Sequence, residues 1–237
     1  MKRTRAEAEV RRRLRPHLRD LLRIARVAES VARSLVKSVE ERTDEVAHVQ
    51  RLLAGRLADD LRCMQTLTLA GYGQQAATVG ASAYEVAFSL AYLGNHLDRA
   101  RQWLAHVDPK TAPWGRKKTV AEVAPMVFPD RSRPLEFEEV SYTVMCWFKH
   151  TNPIAAHRFA PSYSAVQHLL NSDPDFACVE MSRACLLFSL RGPLIGLVAT
   201  TRDGILSENI VERLVDTTNR YLIVEEAALQ PYLNRSS

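Results

Sequence analysis

The sequence has little that would build a sheet, a cofactor loop or a metal cage. Only nine glycines occur in 237 residues, and Ala, Leu, Arg and Glu are abundant, a composition that favours helix over strand. The four cysteines, Cys63, Cys146, Cys178 and Cys185, form no CxxC pair. With a highly charged N-terminus that lacks an apolar signal core, they are expected to be reduced thiols in a cytoplasmic protein. No uninterrupted apolar run reaches the length of a membrane span. The best, residues 184–201, is broken by Arg191 and by Gly192-Pro193, so no membrane segment is expected. Walker A, GxGxxG, GxSxG and HExxH patterns are absent. Glu45 and His48 have the Glu-x-x-His spacing of di-iron bundles, but such a site needs a second copy, and none follows. Neither a metal nor a cofactor is expected.

What is present is charge, unevenly placed. Hydrophobic content of 46% with 25% charged residues suits an ordinary globular protein. Of the net charge of +5, residues 1–26 alone carry +7, from ten Lys or Arg against three acids. The remaining 22 basic and 24 acidic residues leave the rest of the chain near neutral. Arg11, Arg12, Arg13, Arg15, Arg19, Arg23 and Arg26 make this segment a candidate phosphate-tracking surface for RNA or DNA. No aromatic residue interleaves with them, which argues against stacking on single-stranded bases.

Within the same segment Leu14, Leu18, Leu21, Ala25, Ala28, Ala32, Leu35 and Val39 recur at alternating spacings of four and three. That is the seam of a coiled coil or a long helical hairpin. It predicts one long helix over residues 6–39, with Pro16 kinking its first turns. Residues 1–42 therefore read as a basic helical arm for homodimerisation or nucleic-acid contact, and residues 43–237 as a helical bundle. Ser38 with Glu41, or Thr43-Asp44, would start the next helix, which runs to about Leu69 and stops at Gly71-Tyr72-Gly73.

A third helix, about Gln75 to Leu93, is apolar almost all round and belongs in the centre of a bundle, with Glu85 as its exception. Further helices are expected over residues 97–107, from the Thr119/Glu122 capping pair to Met126, over 135–151 and over 162–170. Two more are expected from Asp173-Pro174 to Thr200, interrupted at Gly192-Pro193, and from Ser207 to about Leu229. The fold class is thus all-α: a bundle of about seven or eight helices with a long basic N-terminal helix.

The stretch AGYGQQAATVGASAYEVAFSLAYLGNHLDRARQWL, followed later by SYTVMCWFKHTNP, resembles the DUF5677 family of helical prokaryotic proteins of unknown function. The resemblance spans roughly residues 55–160. In that family a Gly-Tyr turn precedes a helix ending in Arg-Ser-x-x-Glu, and a later helix ends in a Ser-x-x-x-His-x-x-Pro-like pattern. Glu85 matches the glutamate, and His150 with Pro153 matches the second motif. Ala81 stands where the arginine is usual and Cys146 where serine is common. The resemblance implies a helical bundle in which Glu85 and His150 are the site candidates. A carboxylate orienting an imidazole would make a general base, or equally a buried bond that fixes helix register.

Two functions follow. The leading one is a cytoplasmic bundle protein that acts through assembly, as a homo-oligomer or with a protein partner, and touches RNA or DNA through its basic helix. The alternative is a metal-independent ribonuclease: Arg101 and His106 resemble the arginine and histidine of the Arg-x(4–6)-His pattern that HEPN ribonucleases carry on one helix.

Overall fold

A computed structural model describes residues 2–108, 110–129, 138–139, 141–143, 145–146 and 176–233. All regular structure among them is helical. We number the α-helices α1 (Lys2–His17), α2 (Arg19–Ser38), α3 (Glu45–Leu69), α4 (Gly73–Leu93), α5 (Leu97–Leu104), α6 (Arg116–Val127), α7 (Phe176–Thr200) and α8 (Glu208–Leu233). A 3-10 turn, Thr201–Asp203, joins the last two. The described residues between 138 and 146 are helical as well. The expected helix over 162–170 and the expected helix start at Asp173-Pro174 lie outside the described residues.

The N-terminal helix is two helices with a joint at Leu18, where φ is −105° and ψ 6°. Pro16 causes this locally: it has no N–H for the Arg12 carbonyl, and its ring crowds that turn. The ladder resumes at once, with Leu18 N donating to Leu14 O (3.2 Å) and Leu22 N to Leu18 O (2.9 Å). Every residue of the predicted seam, Leu14 to Val39, is at most 3% exposed, covered by this chain's own helices. α2 packs on α3, α7 and α8, and buries Leu22, Ile24, Val27 and Val31 beside the seam. It is a core element of the bundle, and its outward face carries Arg19, Arg23, Arg26 and Arg33 with Asp20, Ser30 and Lys37.

α2, α3 and α4 run up, down and up. Cross-pairs set the direction: Gln65 donates to Glu29 (2.9 Å) and Arg51 to the Glu40 carbonyl, while Ser82 donates to Asp60 (2.9 Å) and Gln50 to the Gly94 carbonyl (3.0 Å). Asp44 caps α3 by accepting from Ala47 N (2.9 Å). Ser38 does not serve as a cap; it ends α2 and its hydroxyl bonds back to Ser34 O (2.9 Å). Thr119 likewise sits inside α6, bonded to Arg116 O (2.9 Å), because the helix begins three residues before the expected pair.

Among the described helices, α4 and α7 make the most extensive contact. Gly73 faces Ser182, Gly80 faces Ser189, Gly192 faces Tyr84 and Gly196 faces Ala87. The pairs rise together in sequence, so the two helices are parallel. α8 follows α7 across the short link of residues 201–207 and packs back on it, where Tyr221 reaches Leu187 and Glu225 reaches Arg191. α7 is also one unbroken helix, although an interruption at Gly192-Pro193 was expected. Pro193 deprives only the Ser189 carbonyl of its donor, and packing against α4 holds the turn on both sides. The segment from Val179 to Asp203 is long and apolar enough to cross a membrane, but 78% of an apolar 18-residue window within it is buried inside the bundle. Its apolar surface is already used against neighbouring helices.

Candidate functional site

Two places concentrate polar chemistry: an arginine face on α1 and α2, and a buried ionic layer where α4, α7, α8 and residues 138–146 meet.

The arginine face follows from helix geometry. At about 100° per residue, Arg11, Arg12, Arg15, Arg19, Arg23 and Arg26 fall within an arc of about 120°, away from Leu14, Leu18, Leu21 and Ala25. Arg13 falls outside that arc and is only part exposed. All six arginines of the arc are exposed. The joint at Leu18 makes the face concave: Ala8, Arg11, Arg12, Arg15, Pro16, Arg19, Leu22 and Arg26 line a hollow of about 500 Å³. Glu9 is bound by Arg12 (2.7 Å) and Arg13 (2.7 Å), which hold its carboxyl down at about 2. Arg26 bonds the Leu22 carbonyl through Nε (3.2 Å). Among the described residues, no carboxylate pairs with Arg11, Arg15, Arg19 or Arg23 within salt-bridge distance.

The buried layer is centred on Arg191, whose side chain is 1% exposed. Its Nε and Nη2 both donate to Glu138 Oε1, at 2.9 and 2.7 Å. Its Nη1 donates to Glu225 Oε2. Tyr84 on α4 donates to Glu138 Oε2 (3.0 Å). Tyr221 on α8 lies 2.9 Å from both the Leu187 carbonyl oxygen and Glu225 Oε1. Burial alone would lower the Arg191 pKa, but Glu138 and Glu225 outweigh it and leave it raised. Burial raises Tyr84, Tyr221 and Glu225 above their ordinary values.

Glu85 sits at the edge of this layer. It accepts from the Tyr142 hydroxyl, and the Tyr142 ring lies 5.3 Å from that of Tyr84. Burial, then the Glu85 bond, raises the Tyr142 pKa. The Arg116 guanidinium covers the Tyr142 ring at 4.3 Å. Cys146 stands one turn beyond Tyr142 and is part exposed. The structure thus gives Glu85 a tyrosine partner; His150 lies outside the described residues.

Arg101 and His106 are held by different partners. Arg101 Nε donates to Glu45 Oε2 on α3 (3.0 Å). His106 Nε2 is 2.8 Å from the Thr111 carbonyl, which can only accept, so Nε2 carries the proton and only Nδ1 of the neutral ring is left to act as a base. Asp108 stiffens the same loop by accepting from Lys110 N (2.9 Å) and the Thr111 hydroxyl (3.0 Å). α5 ends at Leu104, so the histidine stands past the helix that carries the arginine.

Arg191, Glu138, Glu225 and Tyr221 were not singled out from the sequence as site residues. The available signal was a lone arginine in an apolar run, which needs a buried counter-charge if the run is a core helix. No family model, curated protein or solved structure matches the chain.

Proposed function

We propose that this protein is a cytoplasmic helical-bundle protein that binds the phosphate backbone of nucleic acid through the arginine face of α1 and α2. The observation that carries the reading is the concave run of exposed arginines with four guanidiniums lacking acidic partners among the described residues. An arginine array is costly to hold together through self-repulsion, and a polyanion relieves that cost while releasing counterions. The absence of aromatic side chains along the face favours recognition of backbone charge over bases. The seam that would pair with a second copy is filled within the chain. Assembly, the other part of the interaction reading, therefore falls to other surfaces.

The test is the salt dependence of binding to duplex DNA and RNA. Engagement of four or five arginines predicts that log K falls with log salt at a slope of roughly −4. Replacing Arg15, Arg19 and Arg23 together by Gln should flatten that slope by about 2 to 3 and weaken all sequences alike. An unchanged slope removes the arginine face from the function. In the ribonuclease alternative, His106→Ala abolishes RNA cleavage and leaves this binding intact; parent protein that cleaves no RNA disposes of it.

A further inference from the structure

Proton counting in the buried layer leads to a conclusion about Glu225. A tyrosine hydroxyl has one hydrogen, yet Tyr221 Oη lies 2.9 Å from two oxygens, the Leu187 carbonyl and Glu225 Oε1. Two oxygens at that distance with no hydrogen between them repel, and here no solvent is at hand to relieve it, because Tyr221 is 0% and Glu225 3% exposed. The carbonyl can only accept, so the tyrosine proton goes to Leu187. The second hydrogen must then come from the carboxyl group. Glu138 offers no such place for an acid proton: its neighbours Arg191 Nε, Arg191 Nη2 and Tyr84 Oη are all donors to it.

We propose that Glu225 is held as the neutral carboxylic acid, donating to Tyr221, while Glu138 is the anion that fastens residues 138–146 to Arg191. The layer is then a latch that weakens when Glu225 loses its proton. The charged and titratable groups facing Glu225 among the described residues are Arg191 from α7, Tyr221 from its own helix and Glu138 from the segment. α2, which also packs on α8, presents a buried face of Leu, Ile, Val and Ala and adds no charge. A second carboxylate would compete with Glu138 for one guanidinium in a site that solvates neither.

The sign of the pH effect follows. Burial, opposed by Arg191 and reinforced by the Glu138 carboxylate, raises Glu225 above its ordinary value of 4.5. The folded state keeps a proton that the unfolded chain releases. Its stabilisation is therefore complete below about 4.5 and is lost as pH rises through the folded-state value.

The test uses the full chain with Glu225→Gln and Glu138→Gln. Glutamine copies the neutral acid, with its N–H toward Tyr221 and its carbonyl toward Arg191. Glu225→Gln should fold, melt at or above the parent at alkaline pH, and show a flatter decline of melting temperature with pH. It should also remove a carboxylic-acid infrared band that the parent retains at neutral pH. Glu138→Gln should lower the melting temperature at every pH, by roughly 10 °C. The protection factors of amides in residues 138–146, taken relative to intrinsic exchange at each pH, should fall at alkaline pH in the parent and less in Glu225→Gln. A Glu225→Gln protein that fails to fold, or is as damaged as Glu138→Gln, overturns the proposal. So does a parent without that infrared band, or protection factors in 138–146 that do not change with pH.

Discussion

Arg191 and Cys185 stand less than two turns apart on α7, and burial acts on them in opposite ways. The guanidinium stays charged because its N–H groups are received by Glu138 and Glu225, with Tyr84 in turn donating to Glu138. The thiol has no charged partner, and burial pushes its pKa up to about 12. A thiol at that value is almost wholly protonated at neutral pH and does not act as a nucleophile. Cys63, exposed on α3, has no such protection. In native protein a maleimide should therefore label Cys63 within minutes and leave Cys185 untouched until denaturant is added. Peptide mapping distinguishes the two, and labelling of Cys185 in the native state would contradict its burial. At this scale the sequence was least informative. Glu85 and Arg191 are visible as lone charges in apolar runs, whereas Glu138 and Glu225 stand among other acids. Which carboxylate meets which donor depends on the parallel pairing of α4 with α7, which no local pattern encodes. Glu85 attracted attention as the lone acid in its helix, yet the carboxyl groups that meet the buried arginine are those of Glu138 and Glu225.

At the scale of elements, small side chains decide how closely α4 and α7 approach. A Cβ placed on Gly192 would lie 2.9 Å from Tyr84 Cα and 2.2 Å from its ring, and one on Gly196 would lie 2.6 Å from the Ala87 backbone. Backbone cannot yield as a flexible side chain can, so Gly192→Ala forces the helices apart and disturbs Tyr84, a donor to Glu138. The expected cost is about 2–3 kcal/mol, read from denaturant midpoints. Gly55 is the internal control. It lies within α3, and a Cβ there meets nothing within 4 Å. Gly55→Ala should stabilise the protein by about 0.5–1 kcal/mol, since alanine restricts the unfolded chain and favours helix. A Gly192→Ala protein as stable as the parent would mean that the two helices are not in this register. The helices themselves were legible from periodicity and turn residues, with ends displaced by a few positions. Pro193 misled because a proline inside a helix removes one hydrogen bond, and a turn clamped by tertiary contacts survives that loss.

At the scale of the molecule, the seam from Leu14 to Val39 shows what spacing can and cannot reveal. Alternation by four and three identifies a buried stripe, but a stripe facing another helix of the same chain looks the same as one facing a second copy. The folded chain resolves this, and magnitudes show how much depends on it. α2 buries Leu21, Leu22, Ile24, Val27, Val31 and Leu35. At about 1.5–3 kcal/mol for each large apolar side chain, the six contribute roughly 9–18 kcal/mol, as much as the whole net stability of a typical domain. α1 buries Val10 and Leu14, worth about 3–6 kcal/mol by the same measure, an upper bound because unfolded chains already shelter some surface. Deleting residues 1–17 should therefore leave a bundle that still unfolds cooperatively, at a lower temperature. It should also lose the affinity contributed by Arg11, Arg12 and Arg15. Deleting residues 1–38 should abolish cooperative unfolding altogether. Circular dichroism melts of the two shortened chains decide the matter. A cooperative melt without α2, near that of the parent, would make residues 1–38 a dispensable arm, and the stripe would again be free to pair with a second copy.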